Sequence, residues 1–187
     1  IQASRLAART GPDGLPVPLP EQNRARWDRL LIGRGLASLQ RAEALGGGHG
    51  PYALQAAIGA CHARSRSAAE TDWRRIAGLY DALRARLPSP VVELNRAVAH
   101  SMAYGPHAGL AILAPIEGDP ALAAFAPLPA AKGDFLLRAG RNAEARAAFE
   151  RAAALSRNGP ERAFLRRRAA SCGPSAGEAE EGSDPAI

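Results

Sequence analysis

The side chains best able to hold a metal or carry out catalysis are four histidines, His49, His62, His100 and His107, and two cysteines, Cys61 and Cys172. Their spacing works against both roles. A metal site on a helix needs ligands about one turn apart, and none of the histidines pairs at i,i+4 with another ligand. Cys61 and His62 are adjacent, so they diverge on a helix and cannot act as nucleophile and base. Asp72 and Asp81 stand nine residues apart, too far for a carboxylate pair on one helix face. The run Gly46-Gly47-Gly48-His49-Gly50 lacks the Lys-Ser/Thr of a phosphate loop and reads as a linker. With no nucleophile, base and orienting group that converge, the expectation is a protein that is not an enzyme and needs no metal or cofactor.

What remains is chemistry of contact. Arg162, Arg166, Arg167 and Arg168 form the densest basic cluster, either a surface for nucleic acid or an acidic partner, or a solvated helix face. Asn95 and Arg96 interrupt an otherwise apolar helical run. They read either as a buried polar anchor or as the lining of a concave interaction groove. His62 reads as a hydrogen-bonded packing residue, and Trp27 and Trp73 as core. The net charge of +6 is almost entirely arginine, Lys132 being the lone lysine, which marks a GC-rich coding bias before it marks a function.

The elements that must position these residues are helices. The chain has 187 residues, enough for one domain with tails, and its 47% apolar share is dominated by Ala and Leu, with 5% aromatics. Ala, Leu, Arg and Glu lose little on entering a helix, whereas strands favour β-branched and aromatic residues. No stretch reaches the roughly 20 apolar residues of a membrane span. The first residues lack the pattern of a secretory signal. Two cysteines on helical and polar stretches imply reduced thiols and a cytoplasmic setting. The chain opens on Ile, not Met, which suggests a start inside a longer reading frame, with a native start at Ile1 as the alternative.

Three regions follow. Residues 1–20 read as the last turns of a junction helix and a linker spaced by Pro16, Pro18 and Pro20. Residues 21–171 read as the helical domain, and residues 172–187, rich in Gly, Ser, Pro, Glu and Asp, as a disordered tail. Within the domain a helix is expected from Glu21 to about Leu45, with Gly33 and Gly35 marking a kink or a close helix contact. Others are expected from Tyr52 to Arg64, from a Thr71 cap through Trp73 to Leu87, from Pro90 through Met102, and from Ala108 to Leu113. Ala121–Phe125 is a possible short helix, followed by a hairpin of Ala130–Ala139 and Ala143–Leu155 and a last helix from Pro160.

Helix pairs recur at roughly 34 residues, the tetratricopeptide period. The best copy is the hairpin: Gly133 lets its helices approach, Gly140 turns the chain, Ala145 is small at the crossing, and Phe149 and Ala152 pack onto the next helix. Trp73 and Tyr80 fill packing positions of an earlier copy. The expected fold is all-α, a short right-handed superhelix of tetratricopeptide-like helix pairs.

Several motifs in order carry a resemblance. They are Glu21–Asp28 with Trp27, Gly50–Ile58, Thr71-Asp72-Trp73, Leu79-Tyr80-Asp81, Ser89–Ala99 and Glu161–Leu165. Together, from about Arg9 to Ala170, they resemble the bacterial extracytoplasmic-function (ECF) sigma factors that carry a long tetratricopeptide-like C-terminal extension. The resemblance implies a regulatory part of a transcription-initiation factor. Its partners would be the sigma N-terminal domains, RNA polymerase or a regulatory protein. DNA would be touched only through domains that this chain does not contain, and no membrane is involved. Asn23 departs from the acidic residue usual there, and Arg34 precedes Gly35 where Glu is expected. The alternative is a free-standing tetratricopeptide adaptor that binds a peptide.

Overall fold

A computed structural model describes residues 1–173. The disorder expected of the acidic tail lies outside the described residues from 174 onward. Among the described residues eight α-helices follow one another: α1 Arg29–Ala44, α2 Pro51–Arg64, α3 Trp73–Arg86, α4 Pro90–Tyr104, α5 Pro106–Leu113, α6 Pro127–Arg138, α7 Asn142–Leu155 and α8 Gly159–Ala170. Among the described residues three 3-10 segments precede α1 and two bridge α5 to α6. The described residues hold no β-strand, only an isolated bridge between Thr10 and Pro16.

Local chemistry sets the starts and stops. Pro51, Pro90, Pro106 and Pro127 each open a helix, where the missing N–H costs nothing. Gly46 and Gly140 adopt positive φ. After each, the next N–H reaches back five residues, Gly47 to the Ala42 carbonyl and Arg141 to that of Leu136, which closes α1 and α6 with Schellman turns.

The helix expected from Glu21 does not form there. Asn23 caps Ala25 and Asp28 caps Leu31, so the chain makes a 3-10 turn at Arg24–Arg26, extends at Trp27 and starts α1 at Arg29. Ile1–Arg9 likewise holds a 3-10 helix, Gln2–Ala8. Thr71 is not the cap of α3. The Asp72 carboxylate caps it by accepting from Arg75 N–H, and Thr71 is buried in another role described below. Ala121–Phe125 is no helix: the chain makes only the 3-10 turn Pro120–Leu122, capped by the Asp119 carboxylate accepting from Ala121 N–H, and α6 begins at Pro127, ahead of the expected Ala130. Cys172, which composition assigned to the tail, is buried against α7 and α8.

Each α-helix packs on its successor. The buried apolar residues accordingly fall into four clusters in chain order. The first joins Ala8, Trp27 and Ile32 to Ala63. The second joins α2, α3 and α4 through Ile58, Ile76, Leu83 and Val92. The third joins α4, α5 and α6 through Leu94, Leu113 and Phe135. The fourth joins α6, α7 and α8 through Leu136, Phe149, Ala152 and Leu165.

Glycines let aromatic rings seat between successive helices. A Cβ at Gly133 would stand 2.9 Å from the Phe149 ring, so α6 and α7 meet through bare backbone. One helix earlier, a Cβ at Gly109 would stand 2.8 Å from the Phe135 ring, placing α5 on α6 by the same device. Ala145 and Ala152 are fully buried beside Phe149. Close packing leaves no room for an added methyl. Gly133→Ala is expected to lower stability by about 1–3 kcal/mol, and Gly133→Ala with Phe149→Leu to recover part of that, both read by urea denaturation. Equal midpoints for wild type and Gly133→Ala would count against this close crossing.

Candidate functional site

The residues singled out by sequence separate into three places. The first is the α3–α4 face that holds Asn95 and Arg96. Asp81 on α3 accepts hydrogen bonds from Arg96 Nε at 2.6 Å and from His100 Nε2 at 3.1 Å, both on α4. Glu93 accepts from Arg96 Nη1 at 3.1 Å and pairs with Arg84. Burial lowers the Arg96 pKa, but the hydrogen bonds to Asp81 and Glu93 outweigh it and raise the pKa overall. Arg96 is therefore a half-buried staple between two helices. Asn95 is exposed on the adjacent position and donates to the Val91 carbonyl at 3.0 Å. It lines a cavity of about 250 Å³ together with Gln2, Gln55, Tyr80 and the apolar Ile58 and Val92. Burial pushes the Tyr80 phenol up from its ordinary pKa. The two neighbours thus divide the roles the sequence left open: Arg96 anchors, and Asn95 faces the cavity.

The second place is the basic cluster of α8, which the structure divides. Arg162 donates to the Ser156 carbonyl at 3.2 Å. Arg168 donates to Asp134 at 2.7 Å and lies 4.9 Å over the Phe149 ring. Arg166 and Arg167 are exposed, with Arg167 3.9 Å from Asp13 of the proline-spaced linker. Two of the four guanidinium groups are spent inside the fold, so the outward charge is smaller than the sequence suggests.

The third place was not visible in the sequence. Arg24 is buried, and its guanidinium donates to the His62 carbonyl at 2.6 Å, the Ser65 carbonyl at 3.0 Å and the Thr71 hydroxyl at 2.8 Å. It also lies 5.1 Å over the Trp27 ring. Ser65 follows α2 in extended conformation, with no glycine to fold the backbone back over the last turn. The orphaned carbonyls at that end need donors, and the negative end of the helix favours a cation. Arg24 supplies both. The sequence signal was a helix ending without a glycine, asparagine or proline cap; which arginine would serve it depends on tertiary structure.

His62 sits beside this clamp, buried, with its ring 5.2 Å edge-on to Trp73. Its Nδ1 has no hydrogen-bond partner in the protein. Burial, reinforced by the positive charges of Arg5 and Arg24, pushes its pKa down from 6.5 to about 4. Burial raises the Cys61 thiol. Neither cysteine is in a disulfide. Among the described residues no three His, Cys, Asp or Glu side chains gather in a group able to hold a metal ion, and no helix is long and apolar enough to cross a membrane.

A family of unknown function, DUF6596, matches residues 1–43. The Uncharacterized protein R00370 of Rhizobium meliloti (strain 1021) is 43% identical over 169 residues, which are 89% of this chain and 38% of that protein. The chain therefore spans well under half the length of this curated relative. No solved structure matches.

Two outcomes test the clamp. Arg24→Met leaves the α2 carbonyls without donors and is expected to cost on the order of 2–4 kcal/mol, with Arg24→Lys restoring only part because one ammonium cannot span three acceptors. Denaturant midpoints check both. For His62, the unfolded chain binds the proton that the folded chain refuses between pH 6.5 and about 4. Its contribution is fully present above pH 6.5 and is lost as pH falls, by up to about 3 kcal/mol. The wild-type minus His62→Leu stability difference should therefore slope across that window; a flat difference would remove His62 from the account.

Proposed function

We propose that this chain is a tetratricopeptide-like interaction module, and that it serves as the regulatory extension of an ECF-type sigma factor. The observation that carries the first half is the serial packing. Each helix rests on its successor, and four apolar clusters follow one another along the chain, as helical repeats require. The α6–α7 hairpin, with Gly133 against Phe149 and positive φ at Gly140, has the repeat's small-residue crossing. Trp73 packs at the edge of the α2–α4 cluster beside Tyr80, in keeping with their repeat positions. The second half rests on the ordered sequence motifs between Arg9 and Ala170. In the Rhizobium meliloti relative the matching stretch is 38% of the polypeptide, so there it is one part of a longer protein.

On this reading the chain works by contact. The sigma N-terminal domains, RNA polymerase or a regulatory protein would be held in the cytoplasm, and promoter DNA would be read elsewhere in the factor. The exposed Asn95 beside a cavity is the one feature that favours the second reading, an adaptor whose groove holds a peptide.

Run-off transcription separates the two. The longer polypeptide containing this stretch is compared with a version lacking residues 21–173. The sigma reading expects promoter-specific transcript to be lost or its control abolished. Unchanged transcript, with peptide capture that depends on Asn95, would hand the assignment to the adaptor.

A further inference from the structure

Charge is unevenly spread along the chain. Residues 127–170, which span α6 to α8, hold ten of the 24 Lys and Arg but four of the 18 Asp and Glu. Internal contacts engage part of this surplus. Arg138 and Arg168 share Asp134, Lys132 pairs with Glu117, Arg141 with Glu144 and Arg146 with Glu150. Arg166 and Arg167 of α8 remain outward and exposed. Among the described residues the Arg166 guanidinium makes no ion pair or hydrogen bond, and Arg167 has Asp13 at 3.9 Å.

The chain leaves the described fold beside these cations. Cys172 is buried against α7 and α8. Burial raises its thiol pKa, while the charges of Arg168 on α8 and Arg146 on α7 draw it down, so both guanidinium groups stand close by. Gly173 then takes φ +80°, the left-handed conformation that turns a chain back past a helix end. The next charged residues in sequence are Glu178, Glu180, Glu181 and Asp184, and residues 174–187 contain no Lys or Arg. Glu178 is five residues past Gly173, a reach of about 17 Å at full extension. Arg166 lies four residues before the end of α8 at Ala170, about 6 Å along the helix. The carboxylates are within reach of the exposed arginines.

Tethering selects the occupant. A carboxylate joined to its cation by a short stretch of chain meets it at an effective concentration on the order of millimolar, which a free acidic partner has to exceed. We propose that the segment Glu178–Asp184 lies across the cationic end of the stack, its carboxylates beside Arg146, Arg166 and Arg167, and shields this face from other anions. Exposed ion pairs of this kind are weakened by salt. The contact goes beyond the sigma and adaptor readings and depends on neither.

Paramagnetic broadening in NMR spectra of the full chain tests this. Cys61 and Cys172 are buried, so a Ser183→Cys variant takes a nitroxide label within the acidic segment. At about 0.05 M salt the label should broaden the backbone amides of residues 162–167, and at about 0.5 M the broadening should be largely lost. It should also be lost when Glu178→Gln, Glu180→Gln, Glu181→Gln and Asp184→Asn are combined. Arg166→Glu with Arg167→Glu should abolish it as well, with an unchanged melting temperature because both side chains are exposed. Broadening of equal strength with the neutral segment or the reversed arginines would overturn the proposal, because charge would then not hold the segment at this face. So would an unbroadened chain at low salt, including one in which added poly-glutamate shifts the same amides and the face belongs to an acidic partner.

Discussion

The buried guanidinium of Arg24 holds the N-terminal segment to the helical array. Taking a charge out of water is costly, and here no carboxylate is bonded to it. Its compensation is the carbonyl-rich end of α2, a partial negative charge built from backbone. The same three hydrogen bonds tie the 3-10 turn at Arg24–Arg26 to the end of α2 and to the entry of α3. Trp27, fixed under that guanidinium, is the centre of the first apolar cluster. From this end each later helix is laid against the one before it.

The device recurs. Arg138 on α6 donates to the hydroxyl and the carbonyl of Ser101, a fully buried residue in the last turn of α4. Arg162 donates to the carbonyl of Ser156 just past α7. In each case a planar, multi-donor cation satisfies acceptors at a helix end, which a lysine ammonium could do only in part. The arginine surplus is thus partly structural. Compositional bias supplies the residue type, and helix geometry finds a use for it, so the basic net charge is a weak guide to nucleic acid.

Legibility followed the range of the interaction. Helix starts at Pro51 and Pro90, the turn at Gly140 and the crossing at Gly133 are decided within a few residues and are legible in the sequence, whereas α5 starts at Pro106, two residues ahead of the expected Ala108. The helix expected from Glu21 failed because Asn23 and Asp28 offer local caps that compete with it. Thr71 looked like a cap because it precedes an amphipathic run. Asp72 stands one residue closer, leaving the Thr71 hydroxyl for Arg24 across 47 residues of sequence. Gly109 carries no local signal, because its ring partner, Phe135, lies on the next helix. At the candidate site, Asn95 and Arg96 were identified by type, but their division into exposed and stapled depended on Asp81 and Glu93.

Serial packing also determines where such a molecule can bind. A single closed core would leave only its outer surface. A stack of helices leaves creases between successive elements, and their chemistry differs along the chain. Between α1 and α2 the crease is wide and lined by no charged side chain, while at α3–α4 an ion network of Asp81, Glu93, Arg84 and Arg96 bridges the crossing. Between α6 and α7 the Phe149 ring fills the hollow at Gly133. The α3–α4 crossing is held by polar contacts, and the α6–α7 crossing by close packing. The α1–α2 crossing has neither an ion network nor a ring seated in it, and small side chains at Ala42, Ala53, Ala56 and Gly59 leave it open.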